Sequence, residues 1–121
     1  MSFNVRYDEV YYDAENTALN NWSNRQRLQV SLLNFHQPDI IGMQEPLVNQ
    51  VKYFVEHLFN YKWIGVGRED GRTEGEYNPK FYKANKLEVL SSGIFWLSES
   101  PDKVSKSWVA GYSRICTWAL F

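Results

Sequence analysis

The sequence predicts an α+β chain, and two observations carry that reading. In the first half, apolar runs with the two-residue period of strands alternate with stretches whose apolar residues recur at helical spacing. In the second half, short aromatic and β-branched runs are separated by turn residues, which predicts an antiparallel meander. The 121 residues are 44% hydrophobic and 17% aromatic, enough for one compact core and too short for two ordinary domains.

The opening residues alternate, with Met1, Phe3, Val5 and Tyr7 on one face and Ser2, Asn4, Arg6 and Asp8 on the other. A half-buried strand is expected there, with Asn4 and Arg6 projecting the same way. Termini are normally loose, so a strand at residue 1 predicts that Met1 derives from an internal strand position. Asp8 to Trp22 is polar and irregular and reads as a surface loop, with a turn around Asp13 to Asn16. Ser23 has the form of a helix N-cap, with Gln26 completing a capping box. Leu28, Leu32 and Phe35 follow at helical spacing, Val30 and Leu33 widen the stripe, and Pro38 ends the helix near His36.

Asp39-Ile40-Ile41-Gly42-Met43-Gln44-Glu45-Pro46 is an apolar run that ends in a carboxylate and is stopped by proline. Strand, helix and strand in this order form a crossover with the two strands parallel or nearly neighbouring. Leu47, Val51, Phe54, Val55 and Leu58 mark a second amphipathic helix with Pro46 at or near its first turn. Glu45 then lies at a strand-to-helix junction, the edge at which open α/β sheets bind ligands.

Tyr61 to Val66 reads as a third strand and Arg68 to Gly75 as an exposed loop. Phe81 and Tyr82 lie in a strand that turns at Ala84-Asn85-Lys86 and returns through Leu87, Val89 and Leu90 toward Ile94, Phe95, Trp96 and Leu97. Ser98 to Ser113 is loop-like and Ile115 to Phe121 is a last strand. The chain stops there without turn residues or a polar tail, so residues 1–121 are expected to be the N-terminal portion of one domain, truncated at the C-terminus.

With 13 basic and 14 acidic side chains, no broad electrostatic footprint for nucleic acid is present, and any phosphate binding must be local. The single cysteine, Cys116, sits in an apolar run as a small hydrophobe and excludes a disulfide within the chain. No run approaches the length of a membrane span and no export signal is visible, which leaves the compartment open.

His36 and His57 stand near predicted helix ends, where the dipole favours them, and lack metal-site spacing. A Gly-rich phosphate loop, a zinc motif and a nucleophile elbow are absent from the sequence. What remains is Asn4 and Glu45, an amide and a carboxylate on two strands of one sheet. Both are hard oxygen donors suited to Mg²⁺, which takes one or two protein ligands and keeps several waters.

Ser2-Phe3-Asn4-Val5-Arg6-Tyr7 followed by Pro38-Asp39-Ile40-Ile41-Gly42-Met43-Gln44-Glu45 resembles the first two motifs of the endonuclease/exonuclease/phosphatase family. Further matches run through Gly75-Glu76-Tyr77-Asn78-Pro79, Phe81-Tyr82-Lys83, Phe95-Trp96-Leu97-Ser98 and Arg114-Ile115-Cys116-Thr117-Trp118, with the bacterial hydrolase branch most similar. The resemblance implies a four-layer deoxyribonuclease-I-like α/β sandwich, two packed sheets with helices outside, of which this chain is roughly the first half. It implies that Glu45 is the principal ligand of Mg²⁺, or of Mn²⁺ in its place, and that Asn4 lies beside metal and scissile phosphate. Glu76 matches the acidic residue that orients the catalytic histidine, and Arg114 an arginine near the substrate phosphate. Arg6 stands where the abasic-site enzymes carry aspartate.

The catalytic histidine, the Gly-Asp-Phe-Asn motif and the Asp-His pair that complete the family's site do not occur in the sequence. The general base is therefore missing, and little hydrolysis is expected of this chain alone. The resulting expectation is the N-terminal half of a Mg²⁺-dependent phosphoesterase whose substrates include, among phosphate esters, nucleic acid. Two rival readings are an inactive binding or assembly fragment, and a phospholipid or sugar-phosphate phosphoesterase of the same fold. An inner sheet face rich in Phe, Trp and Ile is expected to lack its cover, which predicts self-association.

Overall fold

The computed structural model describes residues 1–8 and 20–121. Strand β1 (Ser2–Asn4), helix α1 (Trp22–His36), strand β2 (Ile40–Gln44), helix α2 (Val48–His57) and strands β3 (Tyr61–Ile64), β4 (Lys80–Lys83), β5 (Ser91–Trp96) and β6 (Ile115–Leu120) follow in order. The turn expected around Asp13 to Asn16 lies outside the described residues.

β1 is shorter than the alternation predicts. Its ladder ends as Val5 N–H donates to the Gln44 carbonyl at 3.0 Å, and Arg6 then turns into the left-handed region at φ 58°. Donors from both helices fix this turn. Arg25 Nη1 and Gln29 Nε2 reach the Val5 carbonyl at 2.7 and 3.0 Å, and Gln50 Nε2 reaches the Arg6 carbonyl at 3.0 Å. Gln50 is fully buried, and its Oε1 also accepts from Asp8 N–H at 3.0 Å and Leu47 N–H at 2.9 Å. One side chain thus satisfies an orphan donor at the start of α2 and ties it to the exit of β1.

The first helix exists where helical spacing places it, but its cap and its buried face both differ. Asn21 is the N-cap, accepting from Asn24 N–H at 3.0 Å, while the Ser23 hydroxyl donates to Asn21 Oδ1 at 2.9 Å. The inward line is Trp22, Val30 and Leu33, together with the hydrogen-bonding Arg25 and Gln29. Leu28, Leu32 and Phe35 are 73%, 41% and 83% exposed. The strand-end carbonyls under the helix need donors, so two polar residues occupy the face that apolarity alone assigns to leucines.

The main sheet has the order β1-β2-β4-β3. β1 and β2 are parallel neighbours, as a crossover requires, with Asn4 opposite Gln44. β4 is antiparallel to both β2 and β3. Ile41, Met43 and Phe81 point to one face, where they pack with Leu33, Val51, Phe54 and Leu58 of the helical layer. Trp63 stacks on Phe81 with ring centres 6.1 Å apart. The sheet face richest in large apolar residues is therefore covered by α1 and α2, contrary to the uncovered face expected from sequence.

The expected continuous meander is also corrected. Both edges of β4 are occupied, by β2 and β3, so the chain leaving Ala84-Asn85-Lys86 cannot pair back onto it. It forms instead a separate antiparallel pair, β5-β6, in which Ile94 faces Thr117 and Trp96 faces Ile115. This pair meets the main sheet through Tyr82, whose ring centre lies 5.0 Å from that of Phe121 on the side opposite the helices. An apolar face does remain open, and it belongs to β5-β6: Trp118 and Leu120 are 44% and 58% exposed.

Candidate functional site

Glu45 follows β2 and stands at φ 72°, a left-handed conformation that costs a non-glycine residue roughly 1–2 kcal/mol. Pro46 behind it is fully buried, and the Pro46 carbonyl accepts from Tyr77 N–H at 2.8 Å, so the chain is held on both sides of the bend. The bend carries the carboxylate toward the end of β1. There Asn4 Nδ2 donates to Glu45 Oε1 at 2.7 Å, while Asn4 Oδ1 accepts from Arg6 N–H at 2.8 Å. The amide of Asn4 is thereby oriented, with its NH₂ and not its oxygen turned to Glu45. The Arg6 bend that shortens β1 supplies the N–H that fixes it.

Opposite this pair lies the segment read from sequence as an exposed loop. Its first part is in fact built in: Gly67 bridges to Tyr77, and Arg68 is 8% exposed. The Arg68 carbonyl accepts from the buried Trp96 indole at 2.8 Å. Its guanidinium donates to Glu76 Oε2 at 2.7 Å and to Glu69 Oε1 at 3.0 Å. Gly67 is obligatory, since a Cβ there would lie 2.3 Å from the Glu74 carbonyl oxygen. Burial pushes the Glu76 carboxyl above its ordinary value, and Glu45 and Glu69 push the same way; Arg68 and Arg114 pull it down without cancelling the effect.

Arg114 immediately precedes β6, and its carbonyl accepts from Leu97 N–H at 2.8 Å, so the antiparallel pair anchors its backbone. Asn78 joins the two sheets by donating to the Ile115 carbonyl at 2.7 Å. Asn4, Gln44, Glu45, Arg68, Glu76, Asn78, Arg114 and Ile115 together line one cleft of about 300 Å³. Two carboxylates and two guanidiniums share it, an arrangement that can hold a cation beside an anionic group.

All four residues singled out from sequence, Asn4, Glu45, Glu76 and Arg114, thus meet in one place. Arg68, Gln44 and Asn78 were missed. Asn78 sits inside a quoted motif, but the charges and glycines around Arg68 are the composition of a surface loop. His36 and His57 do not line the cleft. Both lie in the last turns of their helices, and His57 Nδ1 is 2.8 Å from the Tyr53 carbonyl. Among the described residues no group of three or more His, Cys, Asp or Glu side chains could hold a metal. Mg²⁺ does not require such a group, since it takes one or two protein ligands and keeps several waters. The donor set fits such a use, because only one Glu45 oxygen is hydrogen-bonded among the described residues.

No protein-family model matches the sequence. Structures of known proteins match it along nearly its whole length. An endonuclease/exonuclease/phosphatase from Bacteroides vulgatus has a TM-score of 0.90 and 46% identity, covering 98% of this chain and 44% of that one. A mannosyl-6-phosphatase from Bacteroides thetaiotaomicron has a TM-score of 0.90 and 38% identity, covering 98% of this chain and 43% of that one. An uncharacterized protein of Acanthamoeba polyphaga mimivirus is 30% identical over 110 residues, which are 88% of this chain and 38% of that protein. The chain spans less than half the length of these relatives. Its architecture is part of a deoxyribonuclease-I-like α+β fold. Over nearly its whole length the chain resembles, in fold and in sequence, structures of the endonuclease/exonuclease/phosphatase family.

Proposed function

We propose that this chain supplies the cation-holding and phosphate-holding part of the active site of a metal-dependent phosphoesterase, with a sugar phosphate as substrate. The observation that carries the reading is the convergence of Glu45, Asn4, Arg68, Glu76 and Arg114 on one cleft. The 38% identity to a mannosyl-6-phosphatase supports the sugar-phosphate class over nucleic acid, and the near balance of 13 basic and 14 acidic side chains agrees with it.

In this reading Glu45 is the ligand of Mg²⁺ or Mn²⁺, and Asn4 orients it through the 2.7 Å hydrogen bond. The metal, when bound, supplies Lewis-acid polarisation of a phosphoryl oxygen. Arg114, on the exposed side of the cleft, offers a planar fork of donors to phosphate oxygens. Arg68 is committed to Glu76 and Glu69 and holds Glu76 in place rather than reaching out. No histidine among the described residues lines the cleft, so this reading assigns the cleft binding of cation and phosphate and no proton-abstracting role. The chain alone is expected to bind without appreciable turnover.

Isothermal titration of the chain with MgCl₂, repeated for Glu45→Gln, tests this. The wild type should bind one ion and the variant should bind about tenfold or more weakly, since a neutral amide replaces the only charged ligand. Equal Mg²⁺ binding by wild type and Glu45→Gln, with both folded, would overturn the assignment and favour a scaffold without chemistry.

A further inference from the structure

We infer that Tyr112 forms the subsite for the sugar ring of the substrate, an inference that rests on the phosphoesterase reading above and sharpens it. Tyr112 stands just outside the cleft, against two of its lining side chains. Its ring centre is 5.4 Å from Arg68 Cζ and 6.0 Å from Arg114 Cζ. Both are within cation–π range, so the guanidiniums fix where the ring sits. The ring is nevertheless 64% exposed, unusual for a large aromatic so constrained, and much of its surface is open to a ligand.

The segment that delivers it is strained. Ala110 N–H donates to the Ser107 carbonyl at 3.1 Å, closing a turn whose central residues, Trp108 and Val109, have φ 56° and 60°. Two successive positive φ angles are the pattern that Asn-Gly satisfies, and a β-branched valine there is an outlier. Trp108 and Val109 are 68% and 104% exposed, so no packing of their side chains accounts for the conformation. Strain of this kind is retained where it positions something. Three residues further on it positions Tyr112, between Arg114 and solvent.

The chemistry follows from where a phosphate would lie. With phosphate on Arg114, a hexose 6-phosphate has only its ester oxygen and one methylene between phosphorus and ring. The sugar ring then comes within reach of the part of the Tyr112 ring that the two guanidiniums leave exposed, whose negative π surface attracts the C–H groups of a pyranose. Phosphate esters without a ring gain nothing there.

The test is calorimetric titration in Mg²⁺ with inorganic phosphate, glycerol 3-phosphate and glucose 6-phosphate, using wild type, Tyr112→Ala and Tyr112→Phe. Tyr112→Ala should weaken glucose 6-phosphate about fivefold, the worth of one aromatic contact, and leave the two ringless ligands unchanged. Tyr112→Phe should match the wild type. Equal weakening of all three ligands would reduce Tyr112 to a residue that positions the arginines, and no weakening of any would remove it from the site. Stronger Tyr112-dependent binding of thymidine 5′-monophosphate than of glucose 6-phosphate would replace the sugar by a nucleobase. If the wild type binds none of the ligands, the phosphoesterase reading falls and the subsite falls with it. Ligands that bind without regard to Tyr112 refute the subsite alone.

Discussion

Glu45 and Glu76 are two acids in one cleft with different physical situations. Glu45 is aimed by a backbone bend and by one hydrogen bond from Asn4. Glu76 is half-buried, and burial raises its carboxyl above the ordinary value of 4.5 despite Arg68. A raised folded-state value means that the folded chain holds this proton more firmly than the unfolded chain. Its contribution to stability is then complete below the ordinary glutamate range and is lost as pH rises through the raised value. In urea unfolding, the stability difference between wild type and Glu76→Gln should therefore move against the wild type between pH 4 and pH 7. A difference that does not change with pH would show that Arg68 cancels the burial. Asn4 and Glu45 were legible in the sequence because strand alternation and a proline stop announce where a side chain leaves a sheet. Arg68 was not, because its burial comes from the Gly67–Tyr77 bridge and the Trp96 indole, contacts distant in sequence.

At the scale of elements, α1 separates periodicity from phase. The helix was found from its spacing, yet the side facing the sheet is set by what β1 needs, namely donors for the Val5 carbonyl from Arg25 and Gln29. Leu33 is fully buried and Leu28 is 73% exposed. Leu33→Ala should cost about 2–5 kcal/mol in chemical denaturation, and Leu28→Ala should stay within about 0.5 kcal/mol of wild type. Comparable losses at the two positions would restore the leucine stripe as the buried face. The strands were legible as strands, but their pairing was not. β4 is a four-residue strand flanked on both sides by earlier strands, and neither its length nor its composition announces that its edges are taken. Gly93 carries the same lesson for the second pair. The Trp118 indole lies across it, 2.8 Å from where a Cβ would stand, a fit seen only after β5 and β6 are registered.

For the whole molecule, the cleft lies where the two sheets meet. The main sheet brings Asn4 and Glu45, the connection from β3 to β4 brings Arg68, Glu76 and Asn78, and the second pair brings Arg114 and Ile115. Asn78 to Ile115 and Trp96 to Arg68 are the hydrogen bonds that join these parts. Asn4 and Arg114, 110 positions apart in sequence, come to line one cleft only through that junction, which motif resemblance anticipated and spacing alone did not. The central claim is that one divalent cation binds at Glu45 with the phosphate-holding arginine beside it. Paramagnetic broadening of backbone amide signals by substoichiometric Mn²⁺ tests it most directly. The signals of Asn4, Glu45, Glu76 and Arg114 should vanish before those of α1, and Glu45→Gln should abolish the effect. Broadening centred on Asp39 or Asp70, or unchanged by Glu45→Gln, would contradict it.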